Sequence, residues 1–157
     1  MAKAWKIPGL DASKSVKDTL PKILRTRFNE MMSFEKGTIE GKDIDCLHDM
    51  RVSSRRLQAA MKIFRPVFPQ RQFKQIYSWL RTLIKMLGEV RHYDVFIETL
   101  EKYREKLPER EKPSIDLLIV KQNSLRAKKR KILTVYLKQL ESSGYRVKFT
   151  NFIMKGL

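Results

Sequence analysis

His48, Arg51, Arg55 and Arg56 crowd into the eleven residues "LHDMRVSSRRL", 47 to 57, which otherwise read as a helix facing a core. A helix turns by about 100° per residue. On that wheel Leu47, Met50, Ser54, Leu57, Met61 and Phe64 share the core sector. His48, Arg51, Arg55 and Lys62 fall in a narrow sector on another side, with Arg56 flanking them. Like charges one turn apart repel by a few tenths of a kcal/mol per pair, and a bound anion relieves that repulsion. Arginine grips oxyanions in bidentate fashion, lysine adds point charge, and a histidine among them suits a hydrogen-bond donor to phosphate.

A second stretch repeats the device. With Leu80, Leu83, Leu87 and Val90 on the core side, Lys74, Arg81, Lys85 and His92 line up on a second stripe. Gly88 lies within that stripe. It either removes a side chain where an anion approaches the backbone or permits close packing against another helix. Lys121, Lys128 and Lys131 form a less regular third edge in a segment where "AKKRK" spreads charge almost all the way round.

The charge is concentrated. The chain of 157 residues carries 34 Lys and Arg against 17 acids, a net +17. From Arg51 to Gly88 there are nine basic residues and no acid, and from Leu117 to Leu140 seven more and again no acid. The remainder holds 18 basic residues against all 17 acids. The whole surplus therefore sits in two segments, which points to a surface for a polyanion: nucleic acid, an anionic membrane or a phosphate polymer.

Catalytic chemistry has little to work with. No nucleophile–base arrangement, glycine-rich phosphate loop or paired carboxylates are visible, so no catalytic residue and no cofactor are expected. The two histidines lack acidic or thiol neighbours at ligand spacing and sit among arginines that repel a cation, so no metal is expected. The single cysteine, Cys46, excludes an internal disulfide and reads as a small buried or half-buried residue rather than a nucleophile. Asp94 falls on the apolar seam of its helix, where an unpaired charge is costly. Its expected role is structural, paired with Arg91 or with the inward-pointing Arg27.

Four helical stretches must position these groups: about Ser13 to Phe34, Asp43 to Phe68, Gln70 to about Leu107 through Gly88, and Ser114 to Leu140. Glycines in "EKGTIEGKD" and prolines in "FRPVFPQ" separate the first three. The expectation is an all-α antiparallel four-helix bundle with long helices. It forms a single domain over 1–157, with a short N-terminal arm (1–12) and an amphipathic C-terminal tail (145–157) carrying Tyr145, Phe149, Phe152 and Ile153. "MAKAWKIPGLD" holds no apolar run long enough for a signal peptide, and no segment reaches the ~20 apolar residues of a membrane span. A cytoplasmic protein without membrane association is expected.

The segment "LHDMRVSSRRLQAAMKIFRPVF" resembles the first motif of the CHAD domain, the conserved-histidine α-helical domain, with its His-x-x-Arg-Val-x-x-Arg-Arg-Leu core. "WLRTLIKMLGEVRHYDVFIETL" resembles its second motif, Leu-Gly-x-x-Arg-Asp-x-Asp-Val, and "LESSGYRVKF" its Ser-x-x-Tyr segment. The resemblance implies a helical domain that binds inorganic polyphosphate through a basic surface, with members at polyphosphate granules. It points to His48, Arg51, Arg55, Arg56, Arg91 and Asp94; His92 stands where the family has its first Asp. It also implies a domain of two four-helix halves facing each other across a basic cleft, of which this chain matches one. A homodimer that rebuilds the two-lobed cleft follows as an expectation, with Phe149, Phe152 and Ile153 as apolar surface for it. A general polyanion-binding or RNA/DNA-binding helical protein is the alternative, although Phe64, Phe73, Trp79 and Tyr136 sit on or beside core positions, which leaves few rings for base stacking.

Overall fold

The computed structural model describes residues 3–11 and 13–155. Its elements are α1 (Val16–Met32), α2 (Glu35–Glu40), α3 (Ile44–Ile63), a 3₁₀ turn (Arg65–Val67), α4 (Gln70–Arg104), α5 (Lys112–Ser142) and α6 (Tyr145–Lys155). No strand occurs among the described residues, and the all-α helical bundle expected from the periodicity is the observed class. None of these helices is long and apolar enough to cross a membrane.

The four expected helices correspond to α1, α3, α4 and α5, with one marked difference of extent. α3 ends at Ile63, and residues up to Val67 tighten into a 3₁₀ turn, because Pro66 has no N–H to continue the ladder. α4 runs without a break through Gly88 for 35 residues. Two further helices occupy regions read as connection and tail. α2 forms within "EKGTIEGKD" and stops at Gly41, whose φ of 68° a side chain would oppose. α6 is the amphipathic tail, entered through Gly144 at φ 70°.

Side chains at the helix starts satisfy the first free amides. Ser15 accepts from the Asp18 amide at 3.3 Å ahead of α1, and Asp43 accepts from the Asp45 amide at 2.8 Å ahead of α3. One apolar core then links α1, α3, α4, α5 and α6 through residues such as Leu24, Leu57, Leu87, Leu133 and Phe149. α4 and α5 run antiparallel, since Trp79 bonds Tyr136, Glu89 pairs with Lys129, Asp94 with Arg126 and Arg104 with Asp116, partner numbers rising on one helix as they fall on the other.

The tail corrects an expectation. Phe149 (0% exposed), Phe152 (3%) and Ile153 (1%) are consumed by the chain's own core. Phe149 stacks on Phe28, and Phe152 on Phe68, both at 4.2 Å between centroids. These three residues are therefore not surface for a dimer.

α2 is tied to α6 by Glu35, whose Oε2 accepts from Arg146 at 2.5 Å while its Oε1 is buried without a partner. Burial outweighs Arg146 and raises the Glu35 pKa above the ordinary carboxylate value. The folded state therefore holds this proton at a higher pH than the unfolded chain, and stability falls as pH rises through that window. Glu35→Gln removes this term. In a melting series from pH 4 to pH 7, the variant's Tm relative to wild type is expected to rise with pH and then level off once Glu35 is ionised in both states.

Candidate polyanion-binding surface

α3 and α4 are adjacent helices joined by a short connection, and Gly88 shows how their stripes meet. A Cβ built at Gly88 would lie 3.9 Å from Arg51 Nε, so the Arg51 side chain passes over the gap in the α4 stripe. At the other end Ile44 of α3 and Ile97 of α4 line one cleft, which fixes the two helices as antiparallel. In that register each turn beyond Arg51 on α3 meets a turn before Gly88 on α4. Arg55 therefore lies level with Lys85 and Arg81, and Lys62 level with Lys74. At a ~1.5 Å rise per residue, the merged ridge extends about 21 Å along α3 and about 27 Å along α4.

Arg55, Lys62, Lys74, Arg81, Lys85 and His92 are exposed, and His48 and Arg51 half-buried. Among the described residues none of them forms an ion pair. α5 explains why no α4 acid compensates them. Lys129 takes Glu89 at 2.9 Å, and Arg126 takes Asp94 through Nε. Glu89 and Asp94 are thus neutralised from α5 rather than by the ridge cations. His48 Nδ1 is buried without a partner, which leaves Nε2 as the ring nitrogen able to meet a ligand. His92 at the far end stacks near Phe96, 6.5 Å between centroids.

Several expected residues lie elsewhere. Arg56 turns toward α1, where its Nη1 donates to Glu30 Oε1 at 2.7 Å, so it is a core-side anchor rather than part of the ridge. Arg27 also holds Glu30, at 2.6 Å, and is not the partner of Asp94. Asp94 keeps its structural role, but its cation is Arg126 of α5 rather than Arg91 or Arg27. Arg91 lies beside the ridge in a cleft with Asp94, Glu98 and Arg126. Lys121, Lys128 and Lys131 are exposed on α5. Lys131 borders Met86 on the α4 shoulder away from Arg51 and Gly88, so it does not join the ridge.

Gly88 itself is not demanded by packing. No backbone of a neighbouring helix comes within 4 Å of its Cβ position among the described residues, and Arg51 Nε at 3.9 Å is an ordinary contact. The close-packing role expected for it is therefore corrected. Glycine inside a helix costs about 1 kcal/mol relative to alanine, and for a domain of this size that corresponds to ~2–4 °C. Gly88→Ala is expected to raise Tm by that amount in a thermal melt.

Three groups escaped sequence reasoning. Glu30, fully buried, gathers Arg27, Arg56 and the Trp5 amide at 3.3 Å. Arg126 and Arg130 point inward from the basic run of α5: Arg130 donates to the Thr38 carbonyl at 3.0 Å, and burial, then the nearby Arg126 charge, lowers its pKa. The available signal was spacing, since Arg126, Leu133 and Leu140 recur every seven residues on the core line of α5. Cys46 lies against Gly37 and donates to Asp43 at 3.6 Å. Burial, then the Asp43 charge, raises its pKa and disfavours the thiolate.

No curated protein matches the chain. The model of the CHAD domain family does match it, over residues 22–153. That span runs from the first turns of α1 into the last turn of α6 and takes in the helices that build the ridge and the acids that brace it: the chain belongs to the CHAD domain family.

Proposed function

We propose that this protein binds inorganic polyphosphate without catalysis, along the ridge formed by α3 and α4. The observation that carries this reading is Arg51 of α3 lying over Gly88 in the α4 stripe, with Arg51, Arg55, Lys62, Lys74, Arg81 and Lys85 in no ion pair among the described residues while Glu89 and Asp94 are neutralised from α5. Membership of a family associated with polyphosphate supports it. A chain of phosphates laid along the ridge meets a cation at nearly every helical turn. Arginines take two oxygens each, and His48 donates through Nε2. The ridge residues supply positive charge and hydrogen-bond donors but no carboxylate to hold a divalent ion or act as a base, which favours binding over turnover. A second copy that faces the ridge to form a two-lobed cleft remains compatible with this reading, but not through Phe149, Phe152 and Ile153.

The deciding experiment is competition between long-chain polyphosphate and single-stranded RNA of matched charge at near-physiological salt. Polyphosphate is expected to win clearly, because the ridge offers closely spaced cations along its length while its rings, His92 beside Phe96, sit at one end only and make no platform for successive bases. Equal competition by RNA would make the ridge a general polyanion surface and favour the nucleic-acid alternative. Turnover of polyphosphate by pure protein would overturn the non-catalytic reading.

A further inference from the structure

A groove of about 280 Å³ opens where the first turns of α4 meet α6, on the shoulder of α4 turned away from the ridge. Its composition differs from that of the ridge. Ile76 and Phe152 form an apolar floor, and Trp79 supplies an indole wall. Three carboxamides (Gln72, Gln75 and Asn151) and two ammonium groups, Lys148 and Lys155, complete the lining. We propose that this groove binds a free mononucleotide, with its base against Trp79 and its phosphates on Lys148 and Lys155.

The chemistry of each wall argues for that ligand. One side of the indole is taken by Tyr145, tilted at 4.7 Å between centroids. Lys148 Nζ sits 5.4 Å from the ring centroid. A planar heterocycle that takes the place of this ammonium gains a stacking surface. Lys148 then exchanges a cation–π contact for a phosphate oxygen, the stronger partner for an ammonium. Carboxamides both donate and accept, as needed to meet the mixed hydrogen-bonding edge of a base. The volume lies near the lower bound of small-molecule sites, enough for a base held inside with its phosphates at the rim. A single aromatic wall suits one base, whereas a strand needs successive stacking platforms. An inorganic phosphate chain offers no face for the indole and no donor for the amide oxygens to accept from. The site is independent of the ridge and of the polyphosphate reading.

The test uses Trp79 as its own reporter. The chain has two tryptophans, so Trp5→Phe leaves Trp79 alone, and ATP, GTP, CTP and UTP are titrated while its fluorescence is followed. The expected result is saturable quenching by at least one nucleotide and none by inorganic tripolyphosphate at the same concentration. Asn151→Ala, which leaves the indole surroundings intact, and Lys148→Ala are each expected to weaken binding by about tenfold, the scale of one lost charged or polar contact. A double Arg51→Glu, Arg55→Glu variant is expected to retain the quenching. Three results would each overturn the proposal: quenching by tripolyphosphate equal to that by nucleotides, no response to any nucleotide at millimolar concentration, or wild-type affinity in both groove variants. Tighter binding of a short single-stranded RNA than of every mononucleotide would assign the groove to a strand end instead.

Discussion

Arg51→Glu combined with Arg55→Glu is expected to lower polyphosphate affinity by about 10²- to 10⁴-fold while leaving the thermal melt almost unchanged. Both guanidiniums belong to the ridge, and neither forms an ion pair among the described residues, so their removal leaves no buried acid uncompensated. Hydrogen bonds to charged partners are worth about 1.5–3 kcal/mol each. Two lost arginines therefore remove about 3–6 kcal/mol, and about 1.4 kcal/mol is a factor of ten. Fewer neutralised phosphates also mean fewer released counterions, so the dependence of binding on salt should become shallower, by analogy with nucleic acids. The fold should tolerate the change, because the substitution relieves like-charge repulsion along α3. Isothermal titration at two salt concentrations, paired with a melt, separates the outcomes. A collapse of the melt would make these arginines structural and remove the ridge argument; retained affinity with a normal melt would place binding elsewhere.

The helices were legible in the sequence because the apolar seam repeats at a period that only a helix satisfies, and Leu80, Leu83, Leu87 and Val90 are indeed buried. α2 was not legible. Six residues with a glycine among them are too few to sustain a helix alone, and the segment is held from outside by burial of Glu35 and Thr38 and by Arg130 on the Thr38 carbonyl. The ridge was readable as two separate stripes, since each depends only on spacing within one helix. That they merge depends on the offset between α3 and α4, which no local pattern encodes. Asp94 shows the same limit: its place on the seam announced a buried acid, but the identity of its cation, 32 residues later, follows from the register of α4 against α5. Arg56 illustrates the opposite error, since its motif and its position at the edge of the stripe both suggested a ligand contact while the rotation of one residue, about 100°, aims it at Glu30.

That difference yields the sharpest structural prediction. Glu30 is fully buried and holds two arginines from two helices, Arg27 at 2.6 Å and Arg56 at 2.7 Å, so it ties α1 to α3. Glu30→Ala leaves both guanidiniums, 16% and 26% exposed, without their counter-charge. Removing one partner of a buried ion pair costs about 3–5 kcal/mol. At ~2–4 °C per kcal/mol for a domain of this size, Tm is expected to fall by roughly 6–20 °C. Arg56→Ala should produce a smaller fall of the same kind, about 1–3 kcal/mol, because Glu30 keeps Arg27. Its polyphosphate affinity, measured well below the melt, should stay within about threefold of wild type, less than one ordinary hydrogen bond. Arg55→Ala should show the reverse, weakened binding with an unchanged melt. The two residues are neighbours in one motif, and the contrast between them distinguishes a ridge that grips its ligand from a helix pair that holds the ridge in place. If Arg56→Ala weakened binding as much as Arg55→Ala without loss of stability, the motif would act as one binding unit and the Glu30 pair would not be what orients Arg56.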